Sequence, residues 1–267
     1  MTQLENRSIR GADRSAAWRR ADVAVLPCPR RVRAVVGGET VVDSTRALYL
    51  FERDHLPVYY FPEEDVRTQL FEPSAKHTTC PRKGEASYWT LRVGDRVVAD
   101  VMWGYDEPID SIPEIAGHRA FYWSRMDHWY EEDDEVYVHP RDPFSRVDVM
   151  SSSRRVRIEI QGIVVAESMR PWLVFETGLP TRYYFPRADV HMELLRPSER
   201  VTACPYKGRA SYYSAMVGDE VVRDVAWTYT FPIPEQPKLA GLIAFFDERT
   251  DVWVDGERQE RPVSAWS

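Results

Sequence analysis

The chain has 267 residues, of which 43% are hydrophobic and 12% aromatic, and its formal net charge is −7. That is apolar material for one or two packed cores, whereas no run of about 18 apolar residues exists to cross a bilayer as a helix. An acidic chain repels a nucleic-acid backbone, so neither nucleic acid nor membrane is an expected partner.

The chain opens on "MTQLENRSIRGADRSAAWRRADVAVLPCPR". This stretch lacks the unbroken apolar segment of a secretory signal and reads as a polar N-terminal extension over 1–29, which points to the cytoplasm. Three cysteines, Cys28, Cys80 and Cys204, are too few and odd in number for a disulfide framework. "VRAVVGGETVV" then places Gly37-Gly38 between two β-branched runs, a hairpin signal. "LYLF" and "VYYF" are short apolar runs bounded by charge and proline, as strands are. "PEEDVRTQLF" predicts one or two helical turns after Pro62.

"YWTLRVGDRVVADVMWGY" predicts a second hairpin turning at Gly94-Asp95. A two-residue loop sets Ala86 opposite Trp103, Tyr88 opposite Val101 and Thr90 opposite Ala99. Ala86, Tyr88, Val101, Trp103 and Tyr105 then share one face. "EEDDE" at 131–135 reads as a solvated loop, and the polar stretch 141–153, with Pro143 and four serines, as a linker.

After the linker the chain repeats itself. At a fixed offset of 124, residues 31–133 align without a gap, and 45 of those 103 pairs are identical. "YYFP" recurs, "TTCPRKGEASYW" returns as "TACPYKGRASYY", and Trp103, Tyr105, Pro108 and Trp129 fall on Trp227, Tyr229, Pro232 and Trp253. The unit matches the size of an independent domain. Two domains are expected, 30–140 and 154–258, followed by a tail over 259–267. Each is expected to be mostly β, with about eight strands and one short helix. The first holds 13 basic and 21 acidic side chains and the second 14 and 15.

"YYFPEEDV", "TTCPRKGEASYW", "DVMWGYDEP" and "IAGHRAFY", in that order, resemble the bacterial and fungal domain of unknown function 427. The resemblance covers about four-fifths of the chain as a tandem pair. It implies a small antiparallel β structure similar to the β-tent or Mss4-like group, and it brings no established reaction. β-Tent relatives often hold zinc between paired Cys-x-x-Cys knuckles. No such pair exists here, so no metal and no cofactor is expected.

Two chemistries remain open in the repeated Cys-Pro-x-Lys-Gly. Cys80 with Lys83, and Cys204 with Lys207, are candidate catalytic pairs, since an ammonium can lower a thiol pKa. Neither has a recurring base, because His77 becomes Val201 and His55 becomes Leu179. The alternative is a binding module for a small molecule or peptide, with clefts lined by Lys83, Tyr88, Trp103 and Tyr105, and by Lys207, Tyr212, Trp227 and Tyr229. A purely structural pair of protein-interaction domains is the third reading. Arg46, Glu52 and Asp65 recur as Arg170, Glu176 and Asp189, in the manner of ion pairs or turn caps.

Overall fold

The structure, a computed structural model, describes residues 22–53 and 55–264. The expected extension therefore lies mostly outside the described residues. The chain divides into two compact units at residue 142, each mostly β and each built from one pair of antiparallel sheets.

The first unit contains eleven described strands where the sequence suggested about eight. They are β1 (Val23–Pro27), β2 (Val32–Val36), β3 (Glu39–Ser44), β4 (Leu48–Glu52), β5 (Val58–Pro62), β6 (Phe71–Cys80), β7 (Gly84–Val93), β8 (Arg96–Gly104), β9 (His118–Phe121), β10 (His128–Glu131) and β11 (Asp134–Glu135). A seven-stranded sheet runs β1-β4-β5-β9-β8-β7-β6, and a four-stranded sheet runs β11-β10-β2-β3. The expected helix is two short 3-10 turns, Glu63–Asp65 and Thr68–Leu70. No helical periodicity exists to extend them.

The second unit repeats this plan with β12 (Val147–Ser151), β13 (Val156–Ile160), β14 (Ile163–Ser168), β15 (Trp172–Glu176), β16 (Arg182–Phe185), β17 (Leu195–Cys204), β18 (Gly208–Val217), β19 (Glu220–Thr228), β20 (Ile243–Phe245), β21 (Asp251–Val254) and β22 (Glu257–Arg258). Its sheets run β12-β15-β16-β20-β19-β18-β17 and β14-β13-β21-β22. No helix among the described residues is long and apolar enough to cross a membrane.

Alternation in the strands gives the large sheet two apolar faces. In the second unit Ile158, Phe185, Ala226 and Phe245 join the core between the sheets. Their chain neighbours Tyr184, Trp227 and Ala244 join a second cluster on the opposite face. The first unit carries the matching outer cluster around Tyr60, Tyr88 and Tyr105. The recurring charges behave as caps. Asp65 accepts from Ser44 Oγ at 2.6 Å and pairs with Arg46 at 2.6 Å, and Asp189 does the same with Ser168 and Arg170.

Three expectations need correction. Residues 23–27 and 147–151, assigned to an extension and a linker, are the first strands of the large sheets, paired with β4 and β15. The 124-residue offset already matches Val23 to Val147 and Val25 to Val149, a signal too sparse to stand out. "EEDDE" is not wholly a solvated loop: Glu131 ends β10 and is buried, while Asp134–Glu135 forms β11. Finally, Trp129 and Trp253 are not equivalent. Trp129 pairs with Ala34, whereas Trp253 pairs with Arg157, the counterpart of Arg33. The position of Trp253 is taken in the first unit by Tyr130, and the stacked cations agree: Arg33 over Tyr130 at 5.2 Å, Arg157 over Trp253 at 4.9 Å.

Candidate functional site

Cys-Pro-x-Lys-Gly is a turn. The Lys83 amide donates to Cys80 O at 3.2 Å, and Cys80 pairs with Gly84 across the β6–β7 hairpin. Pro81 supplies the fixed φ of the first turn position, and Gly84 takes φ +106° where the strand resumes. A Cβ on Gly84 would lie 3.0 Å from Glu107 O, because the chain after β8 docks there. The Ile109 amide donates to Lys83 O at 3.2 Å, and Ile233 repeats this with Lys207 O at 3.1 Å.

Lys83 does not stand at the rim of a cleft as expected. It is 9% exposed, and its ammonium donates to the Glu52 carboxylate, as Lys207 does to Glu176. Burial works to raise the Glu52 carboxyl, but the Lys83 ammonium, with His55 and Arg82 adding to it, holds the group below the usual carboxylate range. The lysines are thus partners of carboxylates. Cys204 is pushed up by burial despite Lys207, which opposes thiolate formation.

The aromatic residues do converge, in a register different from the one expected. Tyr88 faces Trp103 directly, and Ser87 faces Gly104. The pairing Val93↔Arg96 near the turn follows the expected register, then shifts by two between Trp89 and Leu91. A bulge centred on Asp100, at φ +50°, inserts the extra residues, and Asp224 repeats it at the same φ. The bulge also breaks the alternation and turns valine off the aromatic face: Val225, the counterpart of Val101, joins the core between the sheets beside its neighbour Ala226.

On the outer face Trp103 Nε1 donates to Tyr60 Oη at 3.2 Å, and Thr78 Oγ1 and Tyr88 Oη lie 2.9 Å apart. Burial raises the Tyr60 and Tyr105 phenols well above their ordinary range. Tyr88 and Tyr105 are buried, and Trp103 is half-buried. In the second unit Lys207, Tyr212, Trp227 and Tyr229 are all buried, with Trp227 Nε1 donating to Tyr184 Oη at 3.0 Å.

The array reaches solvent through residues the sequence reading missed. Tyr122 is 37% exposed, and its ring lies 4.7 Å from that of Trp103. Lys76 Nζ stands 4.2 Å from the centre of the Tyr88 ring and 6.0 Å from that of Tyr122, with the Arg125 guanidinium 5.7 Å from Tyr122. Asp100 lies 3.9 Å from Lys76, and Arg125 donates to Ala99 O at 2.8 Å. Burial first, and then the neighbouring Tyr88, raise the Tyr122 phenol. The second unit has Arg200, Asp224, Phe246 and Arg249 in these places. Phe246 packs on Trp227 at 4.6 Å but is only 7% exposed, so this counterpart is closed. Matched charges at the 124-residue offset, Asp100 with Asp224 and Arg125 with Arg249, were the available signal. Among the described residues no group of three or more His, Cys, Asp or Glu side chains is placed to hold a metal ion.

A family model described as a domain of unknown function, DUF427, matches residues 24–132 and again residues 148–256. Both matches begin inside the strands β1 and β12. No curated protein matches the chain.

Proposed function

The chain belongs to the DUF427 family, as a tandem of two of its domains, and from that premise we propose that it is a binding module whose first domain takes a small planar anion. The ligand lies against Tyr122 and Trp103, with Lys76 and Arg125 flanking its charge and Asp100 limiting how much negative charge is tolerated. The observation that carries this reading is Tyr122: its ring packs on Trp103, faces solvent and has cations on it. Aromatic faces take flat groups by offset stacking, and the cations add electrostatic attraction. The partner-bound lysines and the raised Cys204 thiol favour this reading over a thiol- or lysine-dependent enzyme.

The test is a titration of the full chain with 1-naphthoate, the neutral 1-naphthalenemethanol and inorganic phosphate, followed by the Trp103 indole N–H resonance. Naphthoate shifts that resonance saturably, the alcohol does so more weakly, and phosphate does not. Tyr122→Ala weakens naphthoate binding about tenfold, the scale of one aromatic contact. An unmoved Trp103 signal, or binding unchanged by Tyr122→Ala, overturns the assignment.

A further inference from the structure

The second unit has a side-chain clasp on its sheet edge that the matching edge strand β1 of the first unit lacks. β12 ends its sheet, paired only with β15. Thr177 N donates to Arg146 O, and Ser152 N to Pro171 O. These bonds set the alternation: residues 146, 148, 150 and 152 bond inward, while Val147, Val149 and Ser151 turn their backbone groups outward. Two side chains meet those groups. Gln236 Nε2 donates to Val147 O at 3.1 Å, and Lys238 Nζ to Val149 O at 3.2 Å. Both bonds are donated to the strand, so they satisfy its carbonyls only. The outward N–H groups of Val147 and Val149 keep no partner among the described residues.

Space lies between the clasp and the strand. A groove of about 540 Å³ runs between Arg146–Met150 and Glu235–Lys238, within the range of pockets that hold ligands. Its two sides differ. On the side of the aromatic cluster stands Lys238, which has no carboxylate partner among the described residues and lies 5.8 Å from the centre of the Trp172 ring. On the opposite face of the sheet edge Met150 and Phe175 are exposed, at 57% and 41%. In the first unit Ile112 and Glu114 replace Gln236 and Lys238, and neither brings an amide or ammonium to clasp the strand.

We infer that the β12 edge is a docking site for an extended peptide segment that alternates acidic and apolar side chains. The segment adds a strand, as peptides do at open sheet edges. Its carbonyls accept from Val147 and Val149 N–H. Its own N–H groups replace Gln236 and Lys238 at the two carbonyls. Lys238, released from Val149 O, meets an acidic side chain on one face. The apolar side chains cover Met150 and Phe175 on the other.

The experiment titrates the full chain with the peptide acetyl-Glu-Val-Glu-Val-Glu-amide while the backbone amide resonances of Val147 and Val149 are followed. Both shift saturably. A peptide of the same sequence N-methylated at all five residues, whose N–H groups cannot bond to the strand in either direction, leaves them unmoved. Lys238→Ala weakens binding about two- to fivefold, as loss of an exposed charge pair does, and Lys238→Arg restores it. Three results overturn the proposal. The Val149 amide stays still at millimolar peptide; the N-methylated peptide shifts it equally; or Gln236→Ala with Lys238→Ala makes the chain dimerise without binding peptide, which assigns the edge to a second copy.

Discussion

Lys83 and Glu52 face each other where water reaches little of either, with side-chain exposures of 11% and 13%. An exposed lysine could be truncated almost without effect, but this one leaves the Glu52 carboxylate with only the more exposed Arg82, at 3.2 Å, as its partner. Lys83→Ala is expected to cost ~3 kcal/mol, the low end for breaking a buried pair, read as a lower urea midpoint. Lys83→Met combined with Glu52→Leu should recover most of that loss, since no charge then remains buried. Asp247 is the opposite case. Its carboxyl is raised to about 7, chiefly by burial, with Glu248 adding to the rise and Arg182 opposing it. The folded pKa lies above the unfolded one, so the native state holds a proton that the unfolded chain gives up. Stability should therefore increase as pH falls from 8 towards 5 and decline as pH rises through 7. Asp247→Asn should flatten that slope in thermal melts at pH 5, 6, 7 and 8; an unchanged slope would assign the dependence elsewhere.

At the scale of elements, each departure from the sequence reading has a local cause. The β7–β8 hairpin follows the two-residue Gly94-Asp95 turn as far as Leu91↔Val98. The bulge that moves Trp103 opposite Tyr88 lies at an aspartate, a residue that tolerates positive φ without announcing it. Strands β1 and β12 stayed hidden because five residues with two matching valines do not stand out from a polar segment. Trp129 and Trp253 misled because a one-residue offset between β9 and β10 is invisible when one tryptophan happens to face another. The turn residues, by contrast, were legible, since Pro81 and Gly84 serve the geometry their side chains dictate. One pair of contacts explains a difference between the units. A Cβ on Gly104 would lie 2.6 Å from Arg119 Nη1, whereas the second unit has Thr228 and Ile243 in these places. Gly104→Ala should cost roughly 1–3 kcal/mol by overpacking, and adding Arg119→Ile should return part of it. A Gly104→Ala variant that melts like the parent would contradict the crowding.

Across the whole molecule the repeat gives two domains of one plan that differ at their surfaces. Fragments beginning at residues 30 and 154 would lack β1 and β12. Fragments over 22–142 and 143–264 keep every described strand and should unfold cooperatively at higher temperature than the shorter pair. The outer aromatic cluster is closed in the second domain, with Trp227 and Phe246 buried, and open in the first, where Tyr122 meets solvent. A tandem protein with two equal sites would bind two ligands. Here the difference in exposure predicts one. The most direct measurement is the stoichiometry of 1-naphthoate binding to the full chain by isothermal titration calorimetry, repeated with Tyr122→Ala. One ligand per chain, weakened about tenfold by Tyr122→Ala, is the predicted result; two equivalent ligands, or one that ignores Tyr122→Ala, would contradict it.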